Sequence, residues 1–249
     1  MAIILGLNCY KHDAAAALLI DGKLIAAAEE ERFRRIKHYA NYPEKAVDYV
    51  LESASIDPGE LDHIAFYMLP GLVMRENISH SRHYLLKNGG FYFLLSQLNG
   101  AKRMATIERL IRNHLGNSLK ARVNFVEHHI AHAEAACFCS GFESAAVLTM
   151  DGVGERDTSI LASFTPAGLE IHSSSRFPNS PGIYYSAVTK HLGFMPDNDE
   201  YKIMGLSSYG EPEYLEIFRR IISSSKGKIH LNTRLLDIHM GVHSANFGE

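Results

Sequence analysis

The chain of 249 residues is 46% hydrophobic and carries a formal net charge of −3. Its length allows one or two domains with buried cores, and the lack of a basic excess argues against nucleic acid as a main partner. No apolar run reaches the length of a membrane span, and the apolar start IILGLNC is too short for a signal peptide. Three cysteines are too few for a disulfide framework, so we expect buried, reduced thiols in a soluble cytoplasmic protein.

Three apolar runs open the chain and predict strands: AIILGLN, AAAALLI and KLIAAAEE. Asp21 and Gly22, which lie between the second and third runs, are a two-residue hairpin signal. Pro43 then begins an amphipathic helix. The apolar stripe of this helix consists of Ala46, Val47, Val50 and Leu51.

The next part of the chain predicts two more strands around a helical segment. HIAFYM, at 63–68, reads as the fourth strand, and NFVEH reads as the fifth. Residues 70–120 read as a helical insertion that is broken at Gly89 and Gly90. HIAHAEAACFC predicts the helix that follows the fifth strand.

The pattern restarts near residue 144. AAVLTMDGVG, TSILASF and GLEIHSSSR predict three strands, and IYYSAVTKHLG and EYLEIFRRII predict helices. Two successive units of three strands and a helix predict two related α/β lobes, at 1–142 and 143–249. Two unrelated α+β halves are the alternative. The second lobe reads as incomplete, with KIHLNT at 228–233 as one further candidate strand, so we expect a piece of a longer protein.

The stretch VEHHIAHAEAA suggests metal ligands. His128 and His132 are four residues apart and share one face of the predicted helix. Asp151 ends the strand AAVLTM, and two imidazoles with a carboxylate suit Fe(II), Mn or Zn. The pattern is not HExxH, because His129 stands where that motif has glutamate. The alternatives are a polar helix start and an ordinary turn aspartate.

Three other polar segments are candidates for function. His12, in the turn after the first strand, is suited to act as a general base for a hydroxyl nucleophile, or else it only caps the hairpin. The charged run EEERFRRIKH, at 29–38, is either a solvated face or an anion or substrate contact. NDEYKIMGLSSYGEP, at 198–212, contains too much glycine for a stable helix and predicts a binding loop.

Five segments, in this order, resemble the amino-terminal part of the NodU/CmcH-type O-carbamoyltransferases. They are GLNCYKHDAAAALLIDGKLIAAAEEERFRRIKH, VEHHIAHAEAA, LTMDGVGE, GIYYSAVTKHLGF and KIMGLSSYGEP. The resemblance covers most of 1–212 and is weak over 70–120 and after 213. It implies a Kae1-like domain of the actin-like ATPase (ASKHA, ribonuclease H-like) fold, with a mixed five-stranded sheet and here an incomplete second lobe.

The resemblance also implies a reaction. A YrdC-like carboxy-terminal domain would make carbamoyl-adenylate from carbamoyl phosphate and ATP, and the Kae1-like part would pass the carbamoyl group to a small-molecule hydroxyl. The chain of 249 residues would then be inactive by itself. A non-catalytic nucleotide- and metal-binding module remains an alternative. A TsaD-like tRNA-modifying protein is a second one, which the net charge disfavours. The sequence leaves open whether the protein forms a homodimer.

Roles follow from the positions that match the family motifs. His128, His132 and Asp151 match ligands of an iron ion, whose fourth ligand would be an aspartate further along. His12 matches the catalytic base, and Lys37 matches a substrate contact. The positions that match the part holding carbamoyl-adenylate are Asp151, Gly152, Val153, Gly154, Glu155, Ser180 and Gly182.

Overall fold

The computed structural model describes residues 1–82, 90–238 and 246–247. The chain divides into two compact units, Met1–His128 and His129–Glu249. This division falls between residues 128 and 129, whereas the sequence predicts a lobe boundary between residues 142 and 143. The lobe boundary stays a prediction.

The first unit is built on a five-stranded mixed sheet. Its elements, in chain order, are β1 (Ile3–Asn8), β2 (Ala15–Ile20), β3 (Lys23–Glu29), α1 (Glu30–Arg34), α2 (Glu44–Glu52), β4 (His63–Phe66), α3 (Pro70–Arg82), α4 (Gly90–Ala105), α5 (Ile107–Leu115) and β5 (Arg122–Phe125). The strand order is β3-β2-β1-β4-β5. β1, β2 and β3 pair antiparallel, whereas β4 pairs parallel with β1 and with β5. The expected α/β class and mixed five-stranded sheet are therefore confirmed.

The hairpin between β2 and β3 has the predicted two-residue loop. β2 ends at Ile20 and β3 begins at Lys23. Asp21 and Gly22 have φ angles of 49° and 76°. Positive φ at both central positions matches the right-handed twist of the flanking strands, and aspartate followed by glycine tolerates it. The local sequence therefore determined this turn.

A buried carboxylate joins α1 to α2. The Glu30 side chain is fully buried and accepts hydrogen bonds from Arg34 Nε at 2.6 Å and from the Ala46 amide at 2.7 Å. It satisfies a backbone donor at the start of α2, where helical partners are missing. The stripe predicted for α2 is buried as expected and consists of Ala46, Val47, Val50 and Leu51.

The segment expected as a helical insertion is helical in α3, α4 and α5. Gly89 of the expected break lies outside the described residues, and Gly90 is the first residue of α4. α5 is no surface addition, because Ile107, Ile111 and Leu115 are buried in the core of the first unit. The spacing of these three residues by four places them on one helix face.

α6 (His128–Ser140) begins on the last residue of the first unit, and the rest of it lies in the second unit, together with a three-stranded sheet. The sheet consists of β6 (Ala145–Met150), β7 (Asp157–Thr165) and β8 (Gly168–Arg176), antiparallel in the order β6-β7-β8. The further elements are α7 (Pro181–His191), α8 (Glu200–Leu206), α9 (Leu215–Ile221), β9 (Ile222–Ser225), β10 (Lys228–Leu231), β11 (Leu236–Asp237) and β12 (Asn246–Phe247). β10, the strand expected from KIHLNT, pairs with β9 in a separate hairpin.

The expectation of a loop at 198–212 was wrong, while a binding role for this segment stays a prediction. α8 and a 3₁₀ turn at Ser207–Tyr209 occupy most of this segment. One glycine, Gly205, lies inside the helix, and a single internal glycine costs only about 1 kcal/mol. At the start of the helix, Asp199 Oδ1 lies 2.7 Å from Lys202 Nζ, and this ion pair links its first residues.

The three thiols are free, but one is not buried as expected. Cys9 and Cys137 are buried, whereas Cys139 is exposed. Cys137 and Cys139 lie on different faces of α6, because residues two apart in a helix are about 200° apart. Among the helices of the described residues, none is both long and apolar enough to cross a membrane.

Candidate functional site

Two histidines at the start of α6 and the aspartate after β6 form the candidate metal group. His128, His132 and Asp151 each offer a ligand atom, and these atoms lie within 4.8 Å of one another. His132 Nε2 is 3.7 Å from Asp151 Oδ2. His128 and His132 both lie on α6, so a single helix fixes the spacing of the two imidazoles. The expectation that the three residues converge agrees with this geometry, while their role as ligands stays a prediction.

The Asp151 carboxylate is oriented by its own turn. Its Oδ1 accepts a hydrogen bond from the Gly152 amide at 2.6 Å, and its backbone amide donates to the Thr158 carbonyl at 2.9 Å. A hydrogen bond to one carboxylate oxygen directs the other toward a metal. His128 is buried, while the side chains of His132 and Asp151 are 56% and 38% exposed. The donor set fits a divalent metal with open coordination positions.

His129, the third histidine of the cluster, has a structural position. It is buried, and its Nδ1 lies 2.7 Å from Thr149 Oγ1 while its Nε2 lies 2.8 Å from the Asp157 carbonyl oxygen. A carbonyl can only accept, so Nε2 carries the proton and donates it. The ring thereby fastens α6 to β6 and β7. This contact positions the helix face that carries His132.

A close contact joins the turn after β6 to the start of α7. The Ser180 hydroxyl lies 2.5 Å from the Gly152 carbonyl oxygen and 3.2 Å from that of Asp151, and it accepts from the Ile183 amide at 3.0 Å. A Cβ placed on Gly182 would lie 2.6 Å from the Gly152 nitrogen. Four of the residues expected to hold the carbamoyl-adenylate are thus brought together.

The rest of that expected set completes the same turn. The Gly154 amide donates to the Asp157 carbonyl at 2.9 Å, which closes the turn before β7 begins. Glu155 is buried, and Val153 is half-buried. The turn is therefore held in one shape by its own hydrogen bonds. Its role in nucleotide binding stays a prediction.

His12 and Lys37 both lie in the first unit. His12 is in the turn between β1 and β2, with 65% of its side chain exposed, and its Nδ1 lies 2.8 Å from Asp13 Oδ2. Lys37 Nζ lies 3.0 Å from Glu31 Oε1 and is 79% exposed. The expected base and the expected substrate contact are therefore both accessible to solvent.

Asp13 connects the segment that contains His12 to the segment that contains Lys37. Its Oδ1 lies 2.9 Å from Nδ1 of His38, the neighbour of Lys37. Partial burial acts to raise the pKa of the Asp13 carboxyl, but hydrogen bonds and charge from His38 and His12 hold it below its ordinary value. No local signal reveals this link, because residues 13 and 38 are joined only by the folding of β2 and β3.

Comparison with known protein families assigns the chain to one of them. The family described as carbamoyltransferase N-terminus matches residues 3–246, and the chain belongs to that family. The family expected from the sequence motifs is thus confirmed.

Curated relatives support the same membership. The chain is 36% identical to the uncharacterized protein sll1178 of Synechocystis over 99% of its own length and 41% of that protein. It is 34% identical to the nodulation protein NolNO of Sinorhizobium fredii over 90% of its length and 32% of that protein. The chain thus spans well under half of these relatives.

Two solved structures from Pseudomonas aeruginosa overlap loosely with the chain. YeaZ gives a TM-score of 0.37 at 16% identity, with 70% of this chain and 65% of that one covered. An uncharacterized protein with similarity to peptidase YEAZ gives a TM-score of 0.39 at 14% identity, with 85% of this chain and 94% of that one covered. Overlaps of this size are too loose to support a conclusion about the fold.

Proposed function

We propose that this chain is the part of an O-carbamoyltransferase that takes a carbamoyl group from carbamoyl-adenylate and passes it to a hydroxyl of a small molecule. Family membership supports the reaction class. The observation that carries the proposal is the group of His128, His132 and Asp151, whose ligand atoms lie within 4.8 Å of one another beside a turn fixed by Ser180. This turn lies at a strand end, and its glycines let a ligand approach the backbone closely.

The proposed transfer needs a base for the acceptor hydroxyl, and His12 is suited to that role. As the hydroxyl oxygen attacks the carbamoyl carbon, His12 takes the hydroxyl proton. The bond between the carbamoyl carbon and the phosphate oxygen breaks, and AMP leaves with the electron pair. The exposure of His12 leaves room for a substrate to approach its ring. A histidine is half-protonated near neutral pH, which suits general-base catalysis.

His128, His132 and Asp151 would hold the metal, with the Gly152 amide orienting the Asp151 carboxylate. Fe(II) or a similar ion bound there would supply positive charge to polarise a carbonyl or phosphate oxygen. Lys37, exposed near His38, would contact the substrate. Residues 151–155, with Ser180 and Gly182, would hold the carbamoyl-adenylate.

The carbamoyl donor would be made by a further, YrdC-like domain of the complete protein, from carbamoyl phosphate and ATP. The much greater length of the curated relatives supports such a domain. This chain alone is then expected to transfer nothing. A small-molecule acceptor is favoured over tRNA, because a net charge of −3 gives the chain no excess of basic residues.

The test uses the complete protein with carbamoyl phosphate, ATP and a panel of hydroxyl compounds. Asp151→Asn is expected to abolish carbamoyl transfer, while pyrophosphate release from adenylate formation continues. Glu170→Gln, an exposed carboxylate on β8, is the control and should transfer normally. Normal transfer by Asp151→Asn would overturn the site. A wild-type protein that binds nucleotide and metal but transfers to no hydroxyl would be a binding module.

A further inference from the structure

The side chain of Asp13 lies between two imidazole rings. Its Oδ2 is 2.8 Å from His12 Nδ1, and its Oδ1 is 2.9 Å from His38 Nδ1. Each carboxylate oxygen therefore has its own histidine partner. The resulting chain of contacts runs from the exposed ring of His12 to the loop that follows α1.

Hydrogen bonds to the backbone on both sides hold this arrangement in place. Asn8 Nδ2 donates to the Asp13 carbonyl at 2.9 Å, and the Ala14 amide donates to the Tyr39 carbonyl at 2.7 Å. The His38 amide donates to Glu31 Oε2 at 3.1 Å. Both Asp13 and His38 have positive φ angles, of 51° and 52°. Non-glycine residues adopt this conformation at a cost, which the surrounding hydrogen bonds offset.

The hydrogen bonds decide where the proton of His12 lies. An ionised carboxylate can only accept, so His12 donates from Nδ1. In the neutral ring Nε2 is then the acceptor, and a general base needs such a lone pair facing its substrate. The carboxylate also stabilises the positive charge that His12 gains when it takes a proton. A histidine oriented by an aspartate in this way recurs in unrelated hydrolases.

We propose that Asp13 is the positioning residue for His12: it fixes the Nδ1–H tautomer and the ring orientation, and His38 holds Asp13 in place. The inference rests on the proposed function, in which His12 is the base. Asp13, Glu31 and His38 also place ligand atoms within 4.8 Å of one another. However, both carboxylates already accept hydrogen bonds, so we assign the group an orienting role and not a metal.

The central experiment compares Asp13→Asn with Asp21→Asn in the complete protein. Asp21 is a matched control, because it is an exposed aspartate of the same unit with a φ angle of 49° and lies in a different turn. In Asp13→Asn the amide can donate to His12 Nδ1 and favours the wrong tautomer. We expect kcat for transfer to fall about 10²-fold with KM unchanged, which is the lower range for general-base help. Asp21→Asn should transfer normally.

Three further readouts separate positioning from a merely structural role. The acidic limb of the transfer rate should move to lower pH in Asp13→Asn, because a stabilising negative charge next to the base is lost. The groups that face this base are Asp13 and, beyond it, His38, with Glu31 and Lys37 in the neighbouring loop. Asp13→Glu should recover part of the rate. Nitrogen-15 shifts of the His12 ring should report the Nδ1–H tautomer in wild type and its loss in Asp13→Asn.

The outcomes distinguish this inference from the function on which it rests. If His12→Ala loses transfer while Asp13→Asn transfers normally with an unchanged tautomer, the positioning role is overturned and the proposed function stands. If His12→Ala transfers normally, the base and its positioning residue are both wrong. If Asp13→Asn also loses adenylate formation, or if Asp13→Glu does not fold, Asp13 is structural and the inference fails. Failure of the wild type to transfer would overturn the proposed function itself.

Discussion

Gly182 lies so close to Gly152 that a Cβ at position 182 would be 2.6 Å from the Gly152 nitrogen, far inside van der Waals contact. The start of α7 can approach the turn after β6 only because position 182 has no side chain. The Ser180 hydroxyl, 2.5 Å from the Gly152 carbonyl oxygen, fixes the same approach by a hydrogen bond. The position of Asp151 therefore depends on Ser180 and Gly182, which lie far along the chain from it.

Gly182→Ala should disturb both stability and the candidate metal site. The new methyl group must displace backbone atoms of Asp151 and Gly152, and such overpacking typically costs about 1–3 kcal/mol. We expect a lower urea midpoint and weaker metal binding. Gly205→Ala is the matched control, because a Cβ there meets nothing within 4 Å. It should leave stability unchanged or raise it, since alanine favours helix. If Gly182→Ala and Gly205→Ala had the same urea midpoint and the same metal affinity, the close approach of Gly182 to Gly152 would be contradicted.

His132→Ala should weaken binding of Fe(II) or Zn, since it removes one of three proposed ligands. We expect the affinity to fall at least about 10-fold, as measured by calorimetry. His172→Ala, which changes an exposed histidine on β8 bonded to Ser163, is the control and should bind normally. His129→Ala should act differently, because it removes two buried hydrogen bonds and should lower stability first. Unchanged affinity in His132→Ala would remove this residue from the metal site.

Glu30→Ala should strongly destabilise the first unit. The change leaves the Ala46 amide without its acceptor, removes one of the two carboxylate partners of Arg34 and creates a cavity. A buried donor left without its acceptor costs about 1–3 kcal/mol, and the cavity adds to this loss. Glu216→Ala, which breaks an exposed pair with Arg219 in α9, should change stability by no more than about 0.5 kcal/mol. The comparison is made by urea denaturation, and similar losses for both variants would contradict the burial of Glu30.

Asp13 should contribute to the acid sensitivity of folding. Its pKa in the folded chain lies below the ordinary value of 3.8, because hydrogen bonds and charge from His38 and His12 outweigh the opposing effect of burial. A lowered carboxyl pKa stabilises the fold above the ordinary value, and this stability is lost as pH falls through the folded value. The urea midpoint of Asp13→Asn should therefore change less between pH 5 and pH 3 than the urea midpoint of the wild type does. If the urea midpoint of Asp13→Asn fell with pH as steeply as that of the wild type, the contacts of Asp13 with His12 and His38 would be contradicted.

Local signals in the sequence predicted much of the fold. Asp21 and Gly22 determined a hairpin turn because both residues tolerate positive φ, and the apolar stripe of α2 predicted which face of that helix is buried. The spacing of His128 and His132 predicted one helix face. Turn type and helical periodicity depend on residues within a few positions of one another, so they can be derived without the tertiary structure.

The tertiary structure alone decided which distant residues meet. It placed Asp151 near His132, gave His129 its structural partners Thr149 and Asp157, and connected Asp13 to His38. The glycines at 198–212 suggested a loop, yet α8 forms there, because one internal glycine costs too little to break a helix. Contacts across strands and between helices depend on the packing of segments far apart in sequence, and no periodicity or turn signal encodes that packing.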